Sequence, residues 1–199
     1  MMFGITQKRT KAAAKPLKLH SIAAVMRGRG FAGRFEVSGV SYSFTFAPTK
    51  AAVAGRRLQL TGNLTVTDGR PNARALPHSL NNVRATLIST QGGIGTAPPR
   101  QKLPADLGPT APDLPVIEST GALSFCGVLY FRLSPLVGRA LGVAADMSEL
   151  QLNVRLAPTV DGERTLQAVY SSIVEALFGG DTNAATEHVG ELNTLIARQ

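Results

Sequence analysis

Cysteine occurs once in the 199 residues, at Cys126, and tryptophan not at all. A single thiol excludes an intramolecular disulfide and a cysteine-based zinc cluster. It stands in an apolar, alternating stretch, which marks it as a buried and inert side chain rather than a nucleophile. No run of about 18 apolar residues is available to cross a bilayer as a helix. The apolar run at residues 21–26 is shorter than the core of a secretory signal, roughly 7–15 residues, and Arg27 and Arg29 follow it directly. Serine is missing from the first 20 residues, contrary to the composition of an organellar transit peptide. These absences predict a cytoplasmic setting without a transmembrane segment.

Acidic residues are also missing from the first 35 positions, where Glu36 is still to come. That stretch holds Lys8, Arg9, Lys11, Lys15, Lys18, Arg27, Arg29 and Arg34, so it carries the whole formal charge of +8. The rest is neutral on average but polarised, with +6 over residues 36–105 and −6 over residues 106–199. Two halves of opposite sign are expected to pack on each other within one domain. The eight basic residues form a candidate surface for an anionic partner, and residues 1–33 read as a basic arm ahead of a domain over 34–199.

Period-two alternation dominates the first half and predicts strands. Phe35 and Val37 alternate with polar neighbours, as do Val40, Tyr42, Phe44 and Phe46, with a phase slip at Ser38-Gly39 that reads as a bulge or tight turn. Leu58, Leu60, Leu64 and Val66 share one face of the next strand, and Val83, Ala85 and Leu87 one face of another. Six of the twelve prolines then fall within residues 98–115. Proline lacks a backbone donor and fixes φ, so residues 91–121 read as an extended, Pro-rich loop. Residues 123–133 are apolar on both faces, the mark of a central strand, and residues 150–156 alternate again. Ser134-Pro135 has the form of a helix start, shortened by Gly138 and Gly142.

The period changes at the C-terminus. Leu166, Val169, Tyr170, Ile173, Val174, Leu177 and Phe178 line one face of a helix stopped by Gly179-Gly180. Asp181 or Thr182 can cap a second helix with Ala185, Val189, Leu192, Leu195 and Ile196 on its apolar side. The predicted fold is α+β: an antiparallel sheet or sandwich of about six to seven strands, with the long loop and a C-terminal helix pair over 163–198.

Motifs that carry chemistry are few. Gly28-Arg29-Gly30-Phe31-Ala32-Gly33 matches G-x-G-x-x-G, but strand alternation follows where a dinucleotide site needs a helix, and no acid stands some twenty residues on. The same stretch interleaves Arg27, Arg29 and Arg34 with Phe31 and Phe35, residue types that contact phosphates and stack on bases. His188 and Glu191 share a helix face beside Glu187, and His188 with Glu191 forms half of a metal-site pattern without its second half. No nucleophile elbow is present. The expectation is a non-enzymatic binding or assembly module without a cofactor, whose basic arm docks on an anionic surface. The partner classes are a protein or a second copy of the chain, a nucleic acid, or an acidic membrane surface. A carrier of a small apolar ligand held between sheet and helix is the alternative, and a hydrolase or metal enzyme the third.

Overall fold

A computed structural model describes residues 16–69, 77–91, 100–102, 127–157 and 159–198. In chain order the strands are β1 (Leu17–Lys18), β2 (Ser21–Arg27), β3 (Gly30–Val37), β4 (Val40–Ala54), β5 (Arg57–Asp68), β6 (His78–Gln91), β7 (Arg100–Lys102), β8 (Gly127–Leu133), β9 (Ala145–Asp146) and β10 (Gln151–Leu156). Two helices follow, α1 (Asp161–Gly179) and α2 (Thr182–Ala197).

Short hairpins build the first four-strand run. Ser38 and Gly39 both have positive φ, the pattern of a two-residue type I′ turn, so the phase slip between β3 and β4 is a turn. Gly28 and Gly55 have positive φ at the first loop position of the β2–β3 and β4–β5 turns, where type II′ geometry wants glycine. Tyr42, Phe44 and Phe46 of β4 are buried while Ser41, Ser43 and Thr45 are exposed. The alternation is therefore apolar inward and polar outward.

The sheet closes on itself. β5–β4–β3–β2–β10–β8–β6 is a hydrogen-bonded series, and β5 also pairs with β6, so seven strands form a barrel rather than the expected antiparallel sandwich. Alternating directions around a ring require an even number of strands, so a ring of seven must contain a parallel pair. That pair is β2 with β10, Ser21 opposite Gln151, while all other neighbours in the ring are antiparallel. Ahead of it, β1 and β9 form a separate two-stranded parallel sheet of two residue pairs. β8 is buried on both faces, as its composition predicts. Within the stretch expected to be a Pro-rich loop, β7 pairs with the end of β6; the rest of that loop and Cys126 lie outside the described residues. Ser134 starts no α-helix. A 3₁₀ turn follows at Gly138–Leu141, and the Ser134 hydroxyl accepts from the Arg84 backbone N–H at 3.2 Å.

The core fills the barrel. Phe31 stacks on its cross-strand neighbour Phe46 and, across the interior, on Phe131 of β8, both at 6.1 Å between ring centroids. α1 brings Tyr170 within 6.0 Å of Phe31. The helix pair is formed as its periodicity requires. Gly180, at φ +78°, closes α1 with bonds from Gly180 N to Leu177 O and from Asp181 N to Ala176 O, and the Asp181 carboxylate caps α2 through Asn183 N and Ala184 N.

α2 has a second task at the sheet. β3 accompanies β4 only as far as Phe46, so among the described residues the edge of Pro48–Ala54 has no strand partner on that side. Asn193 takes both backbone groups of Ala51 there, accepting from its N–H at 2.7 Å and donating to its carbonyl at 2.9 Å. A side-chain amide thus replaces one residue of a strand. Asn193→Ala is expected to cost about 1–2 kcal/mol in urea unfolding and to release the Ala51 amide to hydrogen exchange; an Ala51 amide as protected as in the wild type would show that α2 does not guard this edge.

Candidate anionic-partner surface

The eight basic residues do not form one arm. Lys8, Arg9, Lys11 and Lys15 lie outside the described residues, whereas the chain from Leu17 onward belongs to the sheet. Ile22, Ala24, Met26 and Phe31 are core residues, so the part of 1–33 that the structure describes is barrel wall and not an arm. The burial of the inward residues of β2 and β3 holds this segment in place.

Each remaining cation has its own setting. Lys18 forms a salt bridge with Glu149, which raises the lysine pKa and lowers that of the carboxylate. Both side chains are well exposed, so the pair adds little to stability. Arg27 and Arg29 flank Gly28 in the β2–β3 turn, and Arg34 points outward from β3 beside the small Ala23 of β2. Phe31 is only 1% exposed and cannot stack on a base; Phe35 is half-buried and stacks on Tyr42 at 5.2 Å. The interleaved aromatic and arginine pattern therefore separates into a core face and a cationic face, as strand alternation demands.

Of the glycines in the G-x-G-x-x-G match, Gly28 serves the turn, and Gly30 and Gly33 serve packing. A Cβ on Gly33 would sit 2.1 Å from the Ala23 carbonyl oxygen and 2.8 Å from the Phe44 ring, and one on Gly30 would sit 2.7 Å from the Phe46 carbonyl oxygen. Glycine is there because neighbouring backbone and a ring occupy the space.

Glu163, in the first turn of α1, is the residue that sequence reading missed. It is 3% exposed, and its carboxylate accepts from Gly28 N at 2.7 Å, Thr159 N at 2.7 Å and the Thr159 hydroxyl at 2.9 Å. Burial alone would raise its pKa. The backbone bonds from Thr159 and Gly28, the Thr159 hydroxyl and the Arg27 charge outweigh that effect and hold it below the ordinary 4.5. Glu163 thus ties the β2–β3 turn to the start of α1. Its one legible signal is an acidic residue at a helix N-terminus, which says nothing of a partner 135 positions away.

Beside this clasp lies a cleft of about 380 Å³ lined by Gly28, Arg29, Val160, Glu163, Leu195 and Arg198. The Glu163 oxygens are engaged by their three donors, and among the described residues neither Arg29 nor Arg198 is in an ion pair. What the cleft offers a visitor is two guanidinium groups beside exposed Val160 and half-buried Leu195.

His188 and Glu191 lie on α2 with Nδ1 3.8 Å from Oε2, both well exposed, the geometry of a surface pair. Among the described residues no group of three or more His, Cys, Asp or Glu is placed to hold a metal ion, and no helix is long and apolar enough to cross a membrane. Comparison with known proteins found no family model, no curated protein and no solved structure that matches the chain.

Proposed function

We propose that the chain is a non-enzymatic binding or assembly module of the cytoplasm, which meets an anionic partner surface through the basic groups of its first 34 residues. The observation that carries this reading is the cationic pair Arg29 and Arg198 at the cleft beside the β2–β3 turn, with Arg34 exposed on the adjoining strand and none of the three in an ion pair among the described residues. The packed rings of Phe31, Phe46, Phe131 and Tyr170 in the barrel favour it over a carrier of an apolar ligand between sheet and helix.

Three probes sort the partner class: a single-stranded oligonucleotide, phosphatidylserine vesicles and a polyglutamate peptide. Binding to one of them is expected to weaken steeply with salt. Arg29→Gln with Arg34→Gln should weaken it further and, on the oligonucleotide, lower the log–log salt slope by about 0.7 per charge removed. Arg164→Gln is the control, because Arg164 already faces Asp161 at 3.8 Å. Salt-independent binding, or an unchanged slope in the double variant, sinks the proposal.

A further inference from the structure

A second concavity, of about 290 Å³, lies on the barrel where β5, β6 and β8 run side by side. Gln59, Arg84, Thr86, Arg132 and Ser134 line it, with Ile88 as an apolar neighbour. Register brings them together. Gln59 stands opposite Thr86, Thr86 opposite Arg132, and Arg84 lies two residues from Thr86 on the same face of β6.

The polar groups in this groove have been sorted by their internal bonds. Gln59 Nε2 donates to the Thr86 hydroxyl at 3.3 Å, and the Arg84 backbone N–H donates to the Ser134 hydroxyl at 3.2 Å. Each hydroxyl accepts one of these bonds and keeps its proton free to donate into the groove. Guanidinium groups only donate. Neither Arg84 nor Arg132 is in an ion pair among the described residues, and Glu149, whose carboxylate feels the Arg132 charge, is held by Lys18. The Ser134 backbone N–H donates to the Arg84 carbonyl at 2.7 Å, so the chain leaving β8 is locked to the middle of β6 at this point and the site is preformed.

We propose that this groove binds the phosphate group of a small phosphate monoester. Two planar forks and two hydroxyl protons suit a tetrahedral dianion with three terminal oxygens, which can accept from all of them, better than a carboxylate with two. The volume lies near the lower end of small-molecule sites and leaves room beside Ile88 and Pro135 for the esterified carbon chain. The site uses none of the first 34 residues and stands apart from the function proposed above.

The test is an NMR titration of the labelled full chain with glycerol phosphate, inorganic phosphate and, at equal ionic strength, sodium chloride. Glycerol phosphate should produce saturable shifts at the amides of Arg84, Thr86, Arg132 and Ser134 and at the two arginine Nε groups. Arg84→Gln and Arg132→Gln should each weaken binding by about tenfold, with the rest of the spectrum unchanged, while Arg139→Gln should leave the affinity as it was. Equal affinity for inorganic phosphate would retain the oxyanion site and overturn the ester. Shifts no larger than those from chloride, or affinities indifferent to both substitutions, would overturn the site altogether.

Discussion

Replacing Phe31 by alanine is expected to lower the unfolding free energy by about 4 kcal/mol, as for a fully buried aromatic side chain whose site cannot close. The ring is 1% exposed and touches three others, from β4, β8 and α1. Its removal leaves a cavity bounded by elements that are held elsewhere by their own ladders, so the surroundings do not collapse onto the space. In urea the midpoint should fall with the slope unchanged, and the melting temperature should drop by about 10 °C. Phe31→Leu keeps most of the volume and should cost about 1.5 kcal/mol. Phe35 is the internal control, since it stacks on Tyr42 at the margin of the core and is half-buried; its truncation should cost about 1 kcal/mol. Equal losses at 31 and 35 would mean that the ring cluster is not the centre of the core.

Phe31 also shows where sequence reasoning reaches its limit. Beside Arg29 and Arg34 it has the look of a base-stacking residue, and nothing local distinguishes that role from burial. Alternation over Tyr42, Phe44 and Phe46, or Leu58, Leu60, Leu64 and Val66, is legible because the opposite face is polar. Residues 21–26 carry the same alternation, Ile22, Ala24 and Met26 inward, but Ala23 and Val25 on the outer side obscure it. Taken as a short apolar run, they make an arm out of what is barrel wall. The two helices are plain, down to Gly180 as stop and Asp181 as cap, because helical period and capping are local.

Closure is hidden for a different reason. Period two specifies which side chains face inward and is silent about which strand lies next to which. The barrel depends on β2 meeting β10 in parallel and β5 meeting β6, and a sandwich built from the same strands would show the same pattern. Parity supplies what periodicity cannot: once seven strands close, one parallel contact is unavoidable, and a strand close to the N-terminus and one just before the helices provide it. That contact also puts the β2–β3 turn, with Arg27 and Arg29, against the start of α1. The charge of the early sequence is in this way fastened to the C-terminal half, through Lys18 with Glu149 and Arg27 near Glu163.

Glu163 is where that attachment can be cut. Glu163→Ala removes a buried acceptor from three donors at once and leaves the N–H groups of Gly28 and Thr159 without it, for an expected loss of about 3 kcal/mol. Glu163→Gln keeps the shape and one acceptor oxygen, and should cost about half as much at neutral pH. The sign of the pH dependence follows from the direction of the shift. The folded state holds this carboxyl below its ordinary 4.5, so the ionised group contributes its full stabilisation above that value, and the contribution is lost as pH falls from 4.5 through the lower folded value. The wild type should therefore lose its advantage over Glu163→Gln on acidification, and urea unfolding of the two proteins from pH 7 downward should converge. A gap that stays constant through that window would mean that the residue acts by packing and not by charge. Hydrogen exchange gives the second readout. The Gly28 amide, bonded to Glu163 across 135 positions, should lose protection in both variants while amides in the middle of β4 and β5 keep theirs. Because Arg29 sits next to that amide, a loosened turn should also weaken any salt-dependent binding through the cleft, with Arg29 itself intact. Glu163 would then be a positioning residue for the cationic surface, identified by a binding defect that raising the pH does not repair.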